Sequence, residues 1–215
     1  MKYRFGLSKR QEITIEVLNA VTHGIPCILS GLALFYLIHK GLAASHKWAL
    51  TAYMVYGISL ICLFLNSTLY HSFSFSKLRP LLQKFDHASI YLLIAGTFTP
   101  YLTLALSAPY NWIATLIIWS LAVIGIVFEV GWTNRFPKLS TALYLLMGWL
   151  GALLIYPLWQ TIPRPGLYLL ALGGLIYSLG TYFYAMKHNK WMHIIWHLFV
   201  NLAALMMFLS IYYYV

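Results

Sequence analysis

The closing stretch of the chain, WMHIIWHLFVNLAALMMFLSIYYYV at residues 191–215, contains no acid, lysine or arginine. A helix crossing a hydrocarbon core about 30 Å thick needs about 20 predominantly apolar residues, and this stretch supplies them. It therefore predicts a transmembrane helix. The same stretch carries His193 and His197. Four residues apart on a helix, two imidazoles stack on one face about 6 Å apart along the axis, so both can reach one metal ion.

Working outward, comparable runs occur at 17–38, 48–70, 88–107, 112–131, 139–158 and 166–186. Together they predict an all-α integral membrane protein, a bundle of seven transmembrane helices forming one domain over residues 1–215. Residues 1–16 are polar and are expected to form a cytoplasmic N-terminal segment, with no cleavable signal peptide. The composition agrees: 61% of the 215 residues are hydrophobic, 17% aromatic and only 8% charged. A soluble surface normally needs roughly a quarter of its residues charged. The net charge of +10 reflects scarce acids and basic loops. It shows no clustered basic arm that would suggest nucleic acid. Cys27 and Cys62 fall in apolar runs and imply no disulfide framework. Gly148–Ala152 and Gly174–Ser178 are small-xxx-small pairs, expected to mark close helix packing.

Charge sets the expected orientation. Eleven of the 14 Lys and Arg residues lie on the N-terminal side of the predicted spans, and only Lys40, Lys47 and Arg164 lie on the other. The positive-inside rule then predicts a cytoplasmic N-terminus and a C-terminus outside. This topology gives each polar residue a depth. Ser67 and His71 end the second span, Asp86 and His87 open the third, and His193 and His197 open the seventh. Glu16, Asn19 and His23 enter with the first, spaced along one stripe. Five of the eight histidines and at least two of the four acids thus converge on one cytoplasmic layer.

Ionisable groups at membrane depth are costly, so they are candidates for function. His71, His193 and His197, with a fourth position open, suit a catalytic zinc ion. Asp86, the chain's single aspartate, suits a general base, and Ser67 a hydrogen-bond donor to a ligand or a substrate oxyanion. Glu16, Asn19 and His23 fit either a buried polar network or a role in positioning substrate. His87 points about 100° away from Asp86 and is expected to support the site rather than ligate. Glu129, close to Trp132 and Arg135, is expected at the surface.

At these residues the chain resembles the hemolysin III-type branch of the progestin and adipoQ receptor family, which includes the adiponectin receptors. The resemblance rests on ExxNxxxH (Glu16, Asn19, His23), SxxxH (Ser67, His71) and FDHxxIYLLIAGTFTPY from Phe85 to Tyr101. It extends to YSLG from Tyr177 to Gly180 and HIIWH from His193 to His197, and so covers essentially the whole chain. The resemblance implies a zinc ion near the cytoplasmic leaflet on His71, His193 and His197, with Asp86 and Ser67 in the catalytic or water-binding shell. The related alkaline ceramidases share such a site and hydrolyse a lipid amide. For the bacterial branch the resemblance implies haemolytic activity and a part in membrane homeostasis. The short N-terminal segment lacks the long cytoplasmic domain of the adiponectin receptors, so a compact bacterial-type protein is expected in the inner membrane.

Three functions compete. One is zinc-dependent hydrolysis of a lipid amide or ester within the membrane. Another is a non-catalytic homeostasis factor or sensor whose zinc is structural. A lytic or pore-forming role is disfavoured because no polar stripe runs through all spans. Retinal is excluded as a partner, since the seventh span has no lysine after Lys190 to form a Schiff base. Membrane lipids are the expected partners, and the oligomeric state is left open.

Overall fold

A computed structural model describes residues 7–133 and 135–215. Lys2 and Arg4 of the expected cytoplasmic segment lie outside the described residues. Among those described, the chain is helical throughout: α1 (Lys9–Ala43), α2 (Ala49–Ser72), α3 (Arg79–Ala105), α4 (Tyr110–Trp132), α5 (Pro137–Trp149), a 3-10 turn (Leu150–Leu154), α6 (Ile155–Thr161), α7 (Arg164–Ala185) and α8 (Trp191–Tyr214). Seven segments are long and apolar enough to cross a membrane, the fifth made of α5, the turn and α6.

The first helix begins earlier than the hydrophobic run suggests. The Ser8 hydroxyl accepts from the Gln11 amide N–H at 3.2 Å, and the Gln11 side chain accepts from the Ser8 N–H at 2.8 Å, a reciprocal capping box. Residues from Lys9 to Glu16, expected in a polar segment, therefore continue the first span as one helix. The fifth span is broken near Pro157, which lies inside the predicted run and is a residue expected to kink its helix. Pro157 has no N–H for the carbonyl four residues back, and the tightened turn at Leu150–Leu154 lies just before it.

Successive helices pack as neighbours, α1 on α2, α2 on α3, α3 on α4 and α7 on α8, while α1 also returns to α8. The span of α3 is the most enclosed of the seven. Lipid offers helices no hydrophobic drive to associate, so close packing and buried hydrogen bonds must hold them. Gly96 faces Ser59 on α2 and Gly125 faces the Tyr91 ring, each so closely that an added Cβ would collide. On the side of the bundle away from the histidines, the Tyr101 hydroxyl donates to Ser210 and Ser210 to the Gly166 carbonyl, both at 2.7 Å, joining α3, α8 and α7. The expected packing pairs are a correction: a Cβ at Gly148 or Gly174 meets nothing within 4 Å. The close contact is one residue along, where Gly173 meets Met207 of α8, because a shift of one residue turns a helix face by about 100°.

Short connections bring the polar ends together. The α2–α3 and α7–α8 turns place the end of α2 and the starts of α3 and α8 beside the first turns of α1. Lys190 donates to Glu12 at 2.8 Å and ties the starts of α8 and α1.

Candidate metal centre

His71, His193 and His197 each offer one ring nitrogen, and these atoms lie within 4.8 Å of one another. Tetrahedral zinc with bonds near 2.0–2.1 Å would hold such atoms about 3.3 Å apart, so the cluster needs only a modest contraction. The proton accounting supports that use. On His71 the Nδ1 sits 2.7 Å from Glu16 Oε2, whereas the Nε2 is buried with no partner. A ligating histidine commonly gives its other N–H to a carboxylate, leaving the remaining nitrogen as the ligand. An orphaned imidazole nitrogen in an apolar bundle otherwise costs free energy.

His197, 1% exposed, repeats the arrangement with a hydroxyl. Thr22 Oγ1 donates its proton to the Asn19 carbonyl at 3.0 Å and sits 3.1 Å from His197 Nδ1. A hydroxyl has one proton; with it on the Asn19 carbonyl, Thr22 accepts from the Nδ1–H and His197 keeps a lone pair on Nε2. The backbone of Thr22 is used as well. Pro26, four residues on, has no N–H to occupy the Thr22 carbonyl, and Asn201 of α8 donates to it at 2.9 Å. His193 is half-buried, with ring centroids 4.6 Å from His197 and 5.2 Å from His71.

The other candidates surround this triad. His23 stacks on His197, centroids 3.6 Å apart and planes 13° from parallel, with Phe64 edge-on at 5.1 Å. Both its nitrogens are buried without a partner among the described residues, so it holds the His197 ring by packing. Asn19 contributes its backbone carbonyl, and Glu16 is held in turn by Arg79 at 3.2 Å. Asp86, two turns into α3, is half-buried and outside the group of close ligand atoms. The Ser67 hydroxyl is its hydrogen-bonding neighbour, with His71 and His87 close by.

Glu129 requires a correction. It is 1% exposed rather than superficial, and its Oε1 lies 2.8 Å from His87 Nδ1. Sequence distance from Trp132 and Arg135 gives depth but not helix face. The buried stripe Ile118, Ala122, Gly125 and Glu129 of α4 shows that face turned inward. Lys187, in the turn before α8, rests over the Tyr184 ring at 5.0 Å. Its partial burial pulls the ammonium pKa below the ordinary lysine value, against the opposing pull of Glu129.

Sequence reasoning also missed Thr22, Asn201 and Arg79 as partners of the site. Asn201 was within reach, since it follows His193 and His197 at the same four-residue interval. From the Glu16 bond we expect Glu16→Gln to lower metal affinity by about 10–100-fold, the range for outer-shell partners. Competition against a chelator of known affinity measures this, and an unchanged affinity would remove Glu16 from the site.

With this geometry in hand, similarity to known proteins is decisive. The sequence profile described as "Haemolysin-III related" matches residues 11–208. The chain belongs to that family. It is 43% identical over 205 residues to "Hemolysin-3" of Bacillus cereus, covering 95% of this chain and 94% of that protein. To the "Hemolysin-3 homolog" of Bacillus subtilis (strain 168) it is 41% identical over 199 residues, covering 93% of each. To the human "Monocyte to macrophage differentiation factor" it is 32% identical over 205 residues, covering 91% of this chain and 82% of the other. The resemblance drawn from the motifs is thereby established. With seven membrane-spanning helices, this member of the haemolysin-III family is a multi-pass bacterial membrane protein.

Proposed function

We propose that the chain is a zinc-dependent hydrolase of a lipid amide or ester, working near the cytoplasmic leaflet in membrane homeostasis. The observation that carries this reading is the unpartnered, buried Nε2 of His71 beside two further histidine nitrogens. His71, His193 and His197 would hold the ion, which when bound supplies a Lewis acid for a carbonyl oxygen and for water. The chain's own groups do the rest. Glu16 and Thr22 fix the ring orientations, and His23 packs against His197. Asp86 takes the proton of the attacking water and returns it to the leaving group. Ser67 gives its single proton to Asp86 and so orients that carboxylate. The charge asymmetry of the loops supports the cytoplasmic placement.

Incubating zinc-loaded and metal-stripped protein with a panel of ceramides, acylated amines and phospholipids tests the reading. Fatty acid release from at least one lipid, dependent on zinc, is the expected result. Release from none would defeat it. A structural metal is the second reading, favoured by one observation: the three nitrogens come from two different helices, His71 from α2 and His193 and His197 from α8.

A further inference from the structure

A groove of about 720 Å³ runs along the outside of α1 and α2. Its polar end is formed by Glu16, His71 and the exposed Ser72, and its apolar end by Val21, Ile25 and Ile28. From Ile13 to Ile28 it follows α1 for roughly 22 Å at 1.5 Å per residue. That exceeds the ~15 Å hydrocarbon depth of one leaflet, so an extended acyl chain fits along it. Val21, Ile25 and Ile28 are all exposed, and the groove opens sideways.

The polar end carries a cation. Arg79 bridges two groove-lining residues, donating through Nη1 to the Ser74 carbonyl at 3.0 Å and through Nη2 to Glu16 at 3.2 Å. Its guanidinium carbon stands 5.5 Å from the Tyr70 ring centroid, and its side chain is 40% exposed. A guanidinium has more N–H donors than these partners occupy, in a fork suited to phosphate oxygens. An apolar trough ending in a half-exposed arginine matches one class of molecule.

We propose that the groove between α1 and α2 binds one anionic phospholipid, its acyl chain along Val21, Ile25 and Ile28 and its phosphate on Arg79. The lipid belongs to the leaflet on the histidine side. Because Arg79 also holds Glu16, and Glu16 holds His71, Arg79 itself lies two contacts from the metal cluster. The groove is on the Nδ1 side of His71, away from the shared nitrogens, so this is a second lipid site rather than the substrate's. It stands whether or not the protein is a hydrolase.

Native mass spectrometry on protein released from vesicles of equal phosphatidylglycerol and phosphatidylcholine measures it directly. We expect the parent to retain phosphatidylglycerol about fivefold over phosphatidylcholine, the preference one arginine near an anionic headgroup supplies. Arg79→Gln should abolish the preference. Val21→Trp, which fills the trough without touching the Glu16 network, should reduce retention of both lipids. Millimolar inorganic phosphate should leave the lipid bound, because the acyl contacts remain. Equal retention by the parent, unchanged retention in both folded variants, or displacement by phosphate alone would each overturn the proposal.

Discussion

His197→Ala should leave the purified protein with less than about a tenth of the parent's divalent metal, the parent carrying close to one ion per chain. Loss of an outer-shell partner costs about 10–100-fold in metal affinity. Removing a ligand itself must cost more. His197 contributes in two ways: one of its ring nitrogens is among the three in the cluster, and its ring is anchored to α1 by Thr22 and by the stack with His23. Elemental analysis of protein purified without added metal makes the comparison and covers zinc, copper, iron and nickel, all of which suit imidazole ligands. His23→Phe serves as the control. Phenylalanine preserves a flat ring against His197 and removes only nitrogens that have no partner, so its metal content should match the parent's. A metal-free parent, or full retention in His197→Ala, would end the case for the site.

What the sequence made legible, and what it hid, separates along physical lines. Span number and the shared depth of Ser67, His71, Asp86, His193 and His197 follow from hydropathy and periodicity, which act within one helix and survive any packing. Helix face against a neighbour is a different matter. Glu129 has the right depth for a surface group, yet α4 turns it onto His87 because Ala122 and Gly125 are small enough to let α3 close in. The same limit displaced the packing glycine from 174 to 173. The role of Thr22 was hidden for another reason. It depends on Pro26 freeing a carbonyl, on Asn201 taking it, and on one hydroxyl proton being spent on Asn19. Each residue is ordinary alone, and only the assembled α1–α8 contact brings the Thr22 hydroxyl to the His197 ring. The break at Leu150–Leu154 is the more legible feature, since Pro157 lies inside the predicted run and a proline there interrupts its own helix.

Asp86→Asn separates the two readings of the metal. The substitution keeps the size of the side chain and leaves the three histidine nitrogens untouched, because the carboxylate is not among the clustered ligand atoms. Metal content should therefore stay at the parent's level. An amide cannot take the proton of an attacking water, and general-base catalysis is worth about 10²–10⁴-fold. Zinc-dependent fatty acid release should fall by that factor, in the rate at saturating lipid rather than in apparent affinity. Ser67→Ala should act in the same direction but less, since it leaves the base in place and removes only the hydroxyl beside it. Asp86→Asn that keeps both its metal and its in-cell activity would assign the ion a structural task, tying His71 of α2 to His193 and His197 of α8. Retained metal with lost turnover has no counterpart in that structural account, because a brace between two helices does not depend on a carboxylate outside the set of clustered ligand atoms.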